Sequence, residues 1–281
     1  MKEFVINVSP LETRIALIED KRLAELLIER QESRSVVGNI YKGRVDSIVP
    51  GIQAAFVDIG FEKNGFLYVS DIAGTEGTGD FDFEEGTIKP RGSARRGRPP
   101  SIESLLKKNQ HIMVQVSKDM LGTKGVRLTN YVTLPGRYVV LMPTVKHLGV
   151  SRKIGSEKER DRLRKILQGV RPPGTGLILR TAGEDKKKPD FQDDVRYLSR
   201  VWNEIKDAME SAKSASLLHA DLGPILRIVR DMFTSDVEKM TVDDEAEYKR
   251  ILDFLDFFAP NLKARVKHYN LGRPIFDKFG I

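Results

Sequence analysis

Gly43-Arg44-Val45-x2-Ile48-x7-Phe56-Val57-Asp58-Ile59-Gly60-x4-Gly65-Phe66-Leu67-x2-Ser70-x-Ile72 alternates apolar and polar residues between strong turn signals. Pro50-Gly51 and Lys63-Asn64-Gly65 divide residues 37–72 into three strands. Upstream, Phe4, Ile6 and Val8 alternate, and Ile15, Leu17 and Ile18 follow the turn at Ser9-Pro10, so residues 3–30 read as two or three short strands. Downstream, Ile112–Val116 and Val126–Leu128 form another pair around Leu121-Gly122-Thr123-Lys124-Gly125. Five strands around a central insertion fit a small closed barrel. The insertion is residues 73–100, whose Gly, Pro and Ser density predicts a flexible loop.

After Pro135-Gly136 the periodicity changes. Tyr138–Met142 and Leu177–Leu179 read as buried strands. Ser156-Glu157-Lys158-Glu159 is a capping box opening a helix to about Leu167. From Asp190 a long helix carries Phe191, Val195, Leu198, Trp202, Ile205 and Met209 at alternating steps of four and three, a single apolar stripe. Trp202 therefore belongs to a core. Lys213–Ser216 reads as a linker into an α/β tail with helices near 224–233 and 245–258. Pro172-Pro173-Gly174-Thr175-Gly176 imitates a phosphate-binding loop, but Leu177 and Ile178 replace the Lys and the hydroxyl residue that such a loop needs. It is a turn.

The 281 residues suggest about two domains. With 40% hydrophobic residues and a mean hydropathy of −0.34, the chain reads as soluble and globular. The absence of cysteine excludes disulfides, thiolate nucleophiles, iron–sulfur clusters and Cys-based zinc sites. His111, His147, His219 and His268 lack metal-binding spacing. Neither a signal peptide nor an apolar run of bilayer length is present, so the expectation is a cytoplasmic protein without a membrane partner. Net charge is +7, yet residues 86–153 alone hold 14 Lys or Arg against Glu103 and Asp119, a larger surplus than the whole chain carries. Residues 76–85 are purely acidic among their charged positions. A concentrated basic surface suits a phosphate backbone.

The Gly43–Ile72 pattern resembles the S1 RNA-binding domain, an OB-type barrel. The resemblance implies that Phe56 and Phe66 turn their ring faces outward for base stacking, while Lys118 and Lys124 track phosphates beside them. Tyr68 stands where many S1 domains have His.

A wider order of segments resembles the ribonuclease E/G family, nearest its G-type members. It runs through Val37–Val45, Gln53–Gly60, Leu121–Gly125, Arg137–Pro143, Arg180-Thr181-Ala182-Gly183 and Gly272–Asp277. The fold this implies is multi-domain α+β. An S1 barrel (36–129) is inserted into a split RNase H-like subdomain (1–35 and 215–281), with an α/β 5′-sensor subdomain at 130–214. The family's sensor takes a terminal monophosphate through an Arg-Thr pair, matched here by Arg180 and Thr181, with Gly136, Val140 and Arg152 shaping and flanking the pocket. The implied partner is single-stranded RNA, preferably 5′-monophosphorylated, and full-length members form homo-oligomers.

The family cleaves with magnesium held by two aspartates in a following DNase I-like domain, one of them in an Asp-x-Asn segment. No Asp-x-Asn and no CPxC motif occurs here, so the chain reads as a fragment with no metal or cofactor of its own and no activity alone. Asp193-Asp194 and Asp243-Asp244 are adjacent pairs diverging by about 100° on a helix and read as solvated charge, with Asp58 a turn or barrel residue. Two other readings stay open: a self-sufficient nuclease with an unrecognised carboxylate site, and a stand-alone S1 binding protein.

Overall fold

A computed structural model describes residues 1–30, 35–72, 100–120 and 125–281, and the backbone alone at 81–84 and 87–90. The chain divides into two compact units, residues 1–35 with 222–281, and residues 36–221. The first unit begins with β1 (Lys2–Val8), β2 (Glu12–Glu19) and β3 (Arg22–Arg30), an antiparallel meander. Alternation divides the side chains between two faces: Phe4, Ile6, Ile15 and Leu17 enter one core, Val5, Ala16 and Ile18 the other. β3 is the outer strand, with Leu23, Leu26, Leu27 and Ile28 exposed among Arg22, Glu25, Glu29 and Arg30.

The second unit opens with β4 (Ile40–Val49), β5 (Ala54–Asp58) and β6 (Gly65–Tyr68). Inside the insertion, β7 (Phe81–Glu84) and β8 (Thr87–Pro90) pair as a hairpin, while 73–80, 85–86 and 91–99 lie outside the described residues. A short α1 (Ile102–Leu105) leads to β9 (His111–Lys118) and β10 (Arg127–Thr129). The order β4-β5-β6-β10-β9 closes on itself through β4–β9 pairing, a five-stranded barrel of the OB type. Val45, Val57, Leu67, Val114, Val116 and Leu128 fill it. Closure leaves no room at Gly125, where a Cβ would stand 2.1 Å from the carbonyl oxygen of Asn64.

The chain continues through β11 (Leu134–Pro135), β12 (Val139–Met142), β13 (Leu148–Val150), α2 (Glu157–Val170), β14 (Gly176–Leu179) and α3 (Lys188–Ser211). The sheet order is β11-β12-β14-β13, with β13 and β14 parallel. Val139, Leu141, Leu177 and Leu179 meet Leu163 and Leu167 of α2 and Phe191, Val195, Leu198 and Ile205 of α3 in one core. Each such buried side chain contributes about 1.5–3 kcal/mol. Trp202 packs against this core, and Ser156 accepts a hydrogen bond from the Glu159 amide to cap α2. Pro172–Thr175 is a turn between α2 and β14, Gly174 at φ +79°.

The expected linker holds over residues 213–215, and β15 (Ser216–His219) follows it, pairing antiparallel with β4. β5 covers Arg44–Val49 of the ten-residue β4 and leaves Ile40–Lys42 for β15 to extend that edge. Lys42 donates from Nζ to the carbonyls of Met209 (2.9 Å) and Ala212 (2.8 Å), capping the end of α3.

The first unit resumes with α4 (Pro224–Asp231), β16 (Val237–Val242), α5 (Glu245–Phe258), β17 (Val266–His268) and α6 (Ile275–Phe279). β16 inserts parallel to β1 and β17 parallel to β16, giving β17-β16-β1-β2-β3. α4 and α5 cover one face, and Ile275 and Phe276 of α6 the other. Among the described residues no helix is long and apolar enough to cross a membrane.

Candidate functional site

Register aligns side chains from four adjacent barrel strands. Phe56 on β5 faces Phe66 on β6, Phe66 faces Arg127 on β10, and Arg127 faces Lys118 on β9. The neighbours Val57, Leu67 and Leu128 point into the core, so this row lies on the outer surface. Phe56 and Phe66 are half-buried and meet edge to face, ring centroids 5.4 Å apart. Tyr68, two residues along β6, is 38% exposed and packs edge-on against Phe66 at 4.3 Å.

Arg127 lies over the Tyr68 ring at 5.1 Å and is anchored by Asp71 Oδ2, at 3.2 Å from Nε and 2.8 Å from Nη2. Burial pushes the Asp71 carboxyl up from its ordinary range, and the Arg127 guanidinium opposes that shift. Lys118 is exposed at the end of the row. Lys124 lies outside the described residues. Asp58 closes barrel strand β5: it stands opposite Arg44 and pairs with it at 3.2 Å, and it accepts from the Gly60 amide at 3.0 Å. The row offers ring faces beside fixed positive charge, the chemistry of stacked bases and phosphates.

A second constellation forms where β13 and β14 end side by side. Ser151 follows β13, its amide bonded to the carbonyl of Leu179; Arg180 and Thr181 follow β14. The hydroxyls of Ser151 and Thr181 stand 3.0 Å apart. Arg180 donates from Nη1 to the carbonyls of Gly136 (2.5 Å) and Arg137 (3.4 Å). The adjoining ends of β13 and β14, one corner of the sheet, thus carry the Ser151–Thr181 hydroxyl pair and, from the neighbouring Arg180, a guanidinium turned to the Gly136 and Arg137 carbonyls; the exposed Arg152 is next in sequence to Ser151. Gly136 is buried and Val140 wholly so; the Val140 side chain packs with Tyr131, Met142 and Ile178 and presents no surface to a ligand.

The expectation of solvated charge at both acidic pairs fails at Asp194. It is 5% exposed, and its oxygens accept from the amides of Arg137 (3.0 Å), Tyr138 (2.8 Å) and Val139 (2.9 Å). Burial raises its carboxyl above the usual range, against the pull of the three amides and of Arg137. A Cβ on Gly136 would lie 2.3 Å from Asp194 Oδ1, so only glycine lets the turn approach. Asp193 is exposed and paired with Arg196. Asp243 accepts from Asn7 and from the Val8 amide, and Asp244 caps α5. Among the described residues no group of three His, Asp or Glu side chains could hold a metal ion.

Sequence reasoning passed over Arg127 and Ser151 and took Asp194 for solvated charge. Arg127 was detectable as the polar residue between the inward Val126 and Leu128. Asp194 stands three residues after Phe191 and four before Leu198, on the apolar stripe. Ser151 carried no signal, because only the parallel pairing of β13 and β14 brings it to Thr181.

The family model for the Ribonuclease E/G family matches residues 133–281. Ribonuclease G of Escherichia coli (strain K12) is 39% identical over 280 residues, covering 99% of this chain and 55% of that protein. Ribonuclease G of Haemophilus influenzae shows the same identity and coverage. Ribonuclease E of a Nostoc species is 35% identical over 279 residues, covering 95% of this chain and 38% of that protein. The chain spans about half the length of the ribonuclease G relatives.

Proposed function

The chain belongs to the ribonuclease E/G family, and from that premise we propose that it is the RNA-gripping and 5′-end-sensing portion of a ribonuclease G-like endoribonuclease, acting in rRNA processing and mRNA decay. The carrying observation is that Arg180 and the paired hydroxyls of Thr181 and Ser151 stem from the adjoining ends of the parallel strands β14 and β13. A terminal monophosphate offers several oxygens and about two negative charges, which a guanidinium and two hydroxyls match. In this reading a 5′-hydroxyl end leaves the guanidinium without its anion, and the added bulk of a triphosphate is excluded.

The barrel row supplies affinity. Phe56, Phe66 and Tyr68 are the stacking surfaces, with Lys118, Lys124 and Arg127 for the backbone. Holding one strand at both places raises the effective concentration of each contact for the other. In the first unit, the strand order with β1 at the centre and two parallel neighbours beyond it supports the RNase H-like assignment. Among the described residues no carboxylates gather into a group that could hold magnesium, and cleavage and homo-oligomer formation belong, in this reading, to the full-length family protein.

The test is fluorescence anisotropy with one short unstructured RNA bearing a 5′-monophosphate or a 5′-hydroxyl, at a single salt concentration. The expected outcome is tighter binding of the monophosphate, abolished by Arg180→Ala with affinity for the hydroxyl form retained. Equal affinity for both ends overturns end sensing and leaves a general RNA-binding barrel.

A further inference from the structure

Two consecutive peptide groups stand between Asp194 and Arg180. In the peptide joining Gly136 to Arg137, the carbonyl accepts from Arg180 Nη1 at 2.5 Å while the amide donates to Asp194 Oδ1 at 3.0 Å. In the next, the Arg137 carbonyl accepts from the same Nη1 at 3.4 Å while the Tyr138 amide donates to Asp194 Oδ2 at 2.8 Å. A trans peptide points its N–H and C=O in opposite directions. A carboxylate gripping the amides of such a turn therefore aims its carbonyls away, and here they aim at the guanidinium.

The Val139 amide adds a third bond to Asp194 at 2.9 Å. Successive amides form a concavity that collects anions, and in this turn the protein's own buried carboxylate fills it. Two of the three bonded amides bear directly on Arg180. Nothing in helix α3 needs an acid at this place on its apolar stripe, and desolvating a charge there is costly. The three amides offset that cost, and the orientation of Arg180 is what the arrangement secures.

We propose that Asp194 is the positioning residue of the end-sensing corner, fixing through these peptides the direction in which Arg180 presents its guanidinium. This rests on the reading of Arg180 as the phosphate ligand. An Asn at 194 keeps one acceptor oxygen but turns an NH2 toward a backbone N–H, so the turn loosens while the side-chain volume stays.

The experiment measures affinities for the 5′-monophosphate and 5′-hydroxyl RNAs in the whole chain, Arg180→Ala and Asp194→Asn, with thermal melts of each. Asp194→Asn is expected to lower the monophosphate-to-hydroxyl affinity ratio by roughly tenfold or to the Arg180→Ala level, whichever is the smaller loss. Hydroxyl-RNA binding should stay within about twofold, because the barrel row does not touch the turn. A folded Asp194→Asn chain with an unchanged ratio overturns the proposal, since a purely structural role moves the melt alone. If that variant does not fold, Gly136→Ala decides: its Cβ displaces the turn from an intact carboxylate, and a retained ratio there refutes positioning. Absence of any preference in the unmodified chain sinks the end-sensing reading itself, an outcome separate from a preference that survives Asp194→Asn.

Discussion

Phe66 touches two aromatic neighbours, Phe56 at 5.4 Å and Tyr68 at 4.3 Å, which hold its ring while the residue stays half-exposed. Stacking of a base on such a ring is worth about 1–3 kcal/mol. Phe66→Leu keeps the apolar bulk and removes the flat face; RNA binding at fixed salt should weaken about 5- to 150-fold, with the monophosphate-to-hydroxyl ratio unchanged. Anisotropy on both RNAs checks this, and a loss confined to the monophosphate form would place Phe66 in the wrong site. The two phenylalanines were legible because strand alternation directs them away from Val57 and Leu67. Asp194 was misread because a pair of adjacent acids looks solvated, although helical spacing sends its two members to different sides.

Elements with their own periodicity or caps were readable from the sequence: the stripe of α3, the Ser156–Glu159 box of α2, the alternation in β1 and β2. Among the short strands, β10, β12 and β14 were readable as apolar runs, but β13 and β15 were not. β13 and β15 have no pattern long enough to detect, and their partners, β14 and the start of β4, define them. β15 also carries His219, whose pKa burial lowers from the ordinary 6.5, against the opposing charges of Asp221 and Glu204. The unfolded chain therefore accepts a proton near pH 6.5 that the folded chain refuses. Stability is full above that pH and falls as pH drops toward the folded value. Melting of the unmodified chain should decline between about pH 8 and about pH 5 more steeply than that of His219→Gln. Parallel curves would show that His219 titrates alike in both states.

At the scale of the molecule, the contacts separate residues 36–221 from a unit built of both ends of the chain. Residues 36–221 contain the closed barrel and the sheet carrying Arg180 with their own cores. A fragment of these residues should fold cooperatively and bind RNA with the affinity of the whole chain. A dispersed amide NMR spectrum and an anisotropy titration test this, and a collapsed spectrum would show that the unit depends on the rest. The closed barrel was legible because turn signals divide its strands; the switch at Asp221 was not, because β15 bears no mark of the unit it joins.

That split carries a consequence for the order of events during synthesis. Phe4 pairs with Met240, Ile6 with Val242, and the Asn7 side chain reaches Asp243, 236 residues further on. At about 5–20 residues per second a ribosome needs roughly 10–50 s to travel from β1 to β16. Throughout that interval the meander of β1–β3 is complete in itself, yet the apolar side chains of Phe4, Val5 and Ile6 await α4, β16, α5 and α6. The intervening unit has by then been fully translated. A nascent chain halted between Asp221 and β16 would join a finished second unit to an adhesive leading ribbon, a natural client for holding chaperones and for proteases.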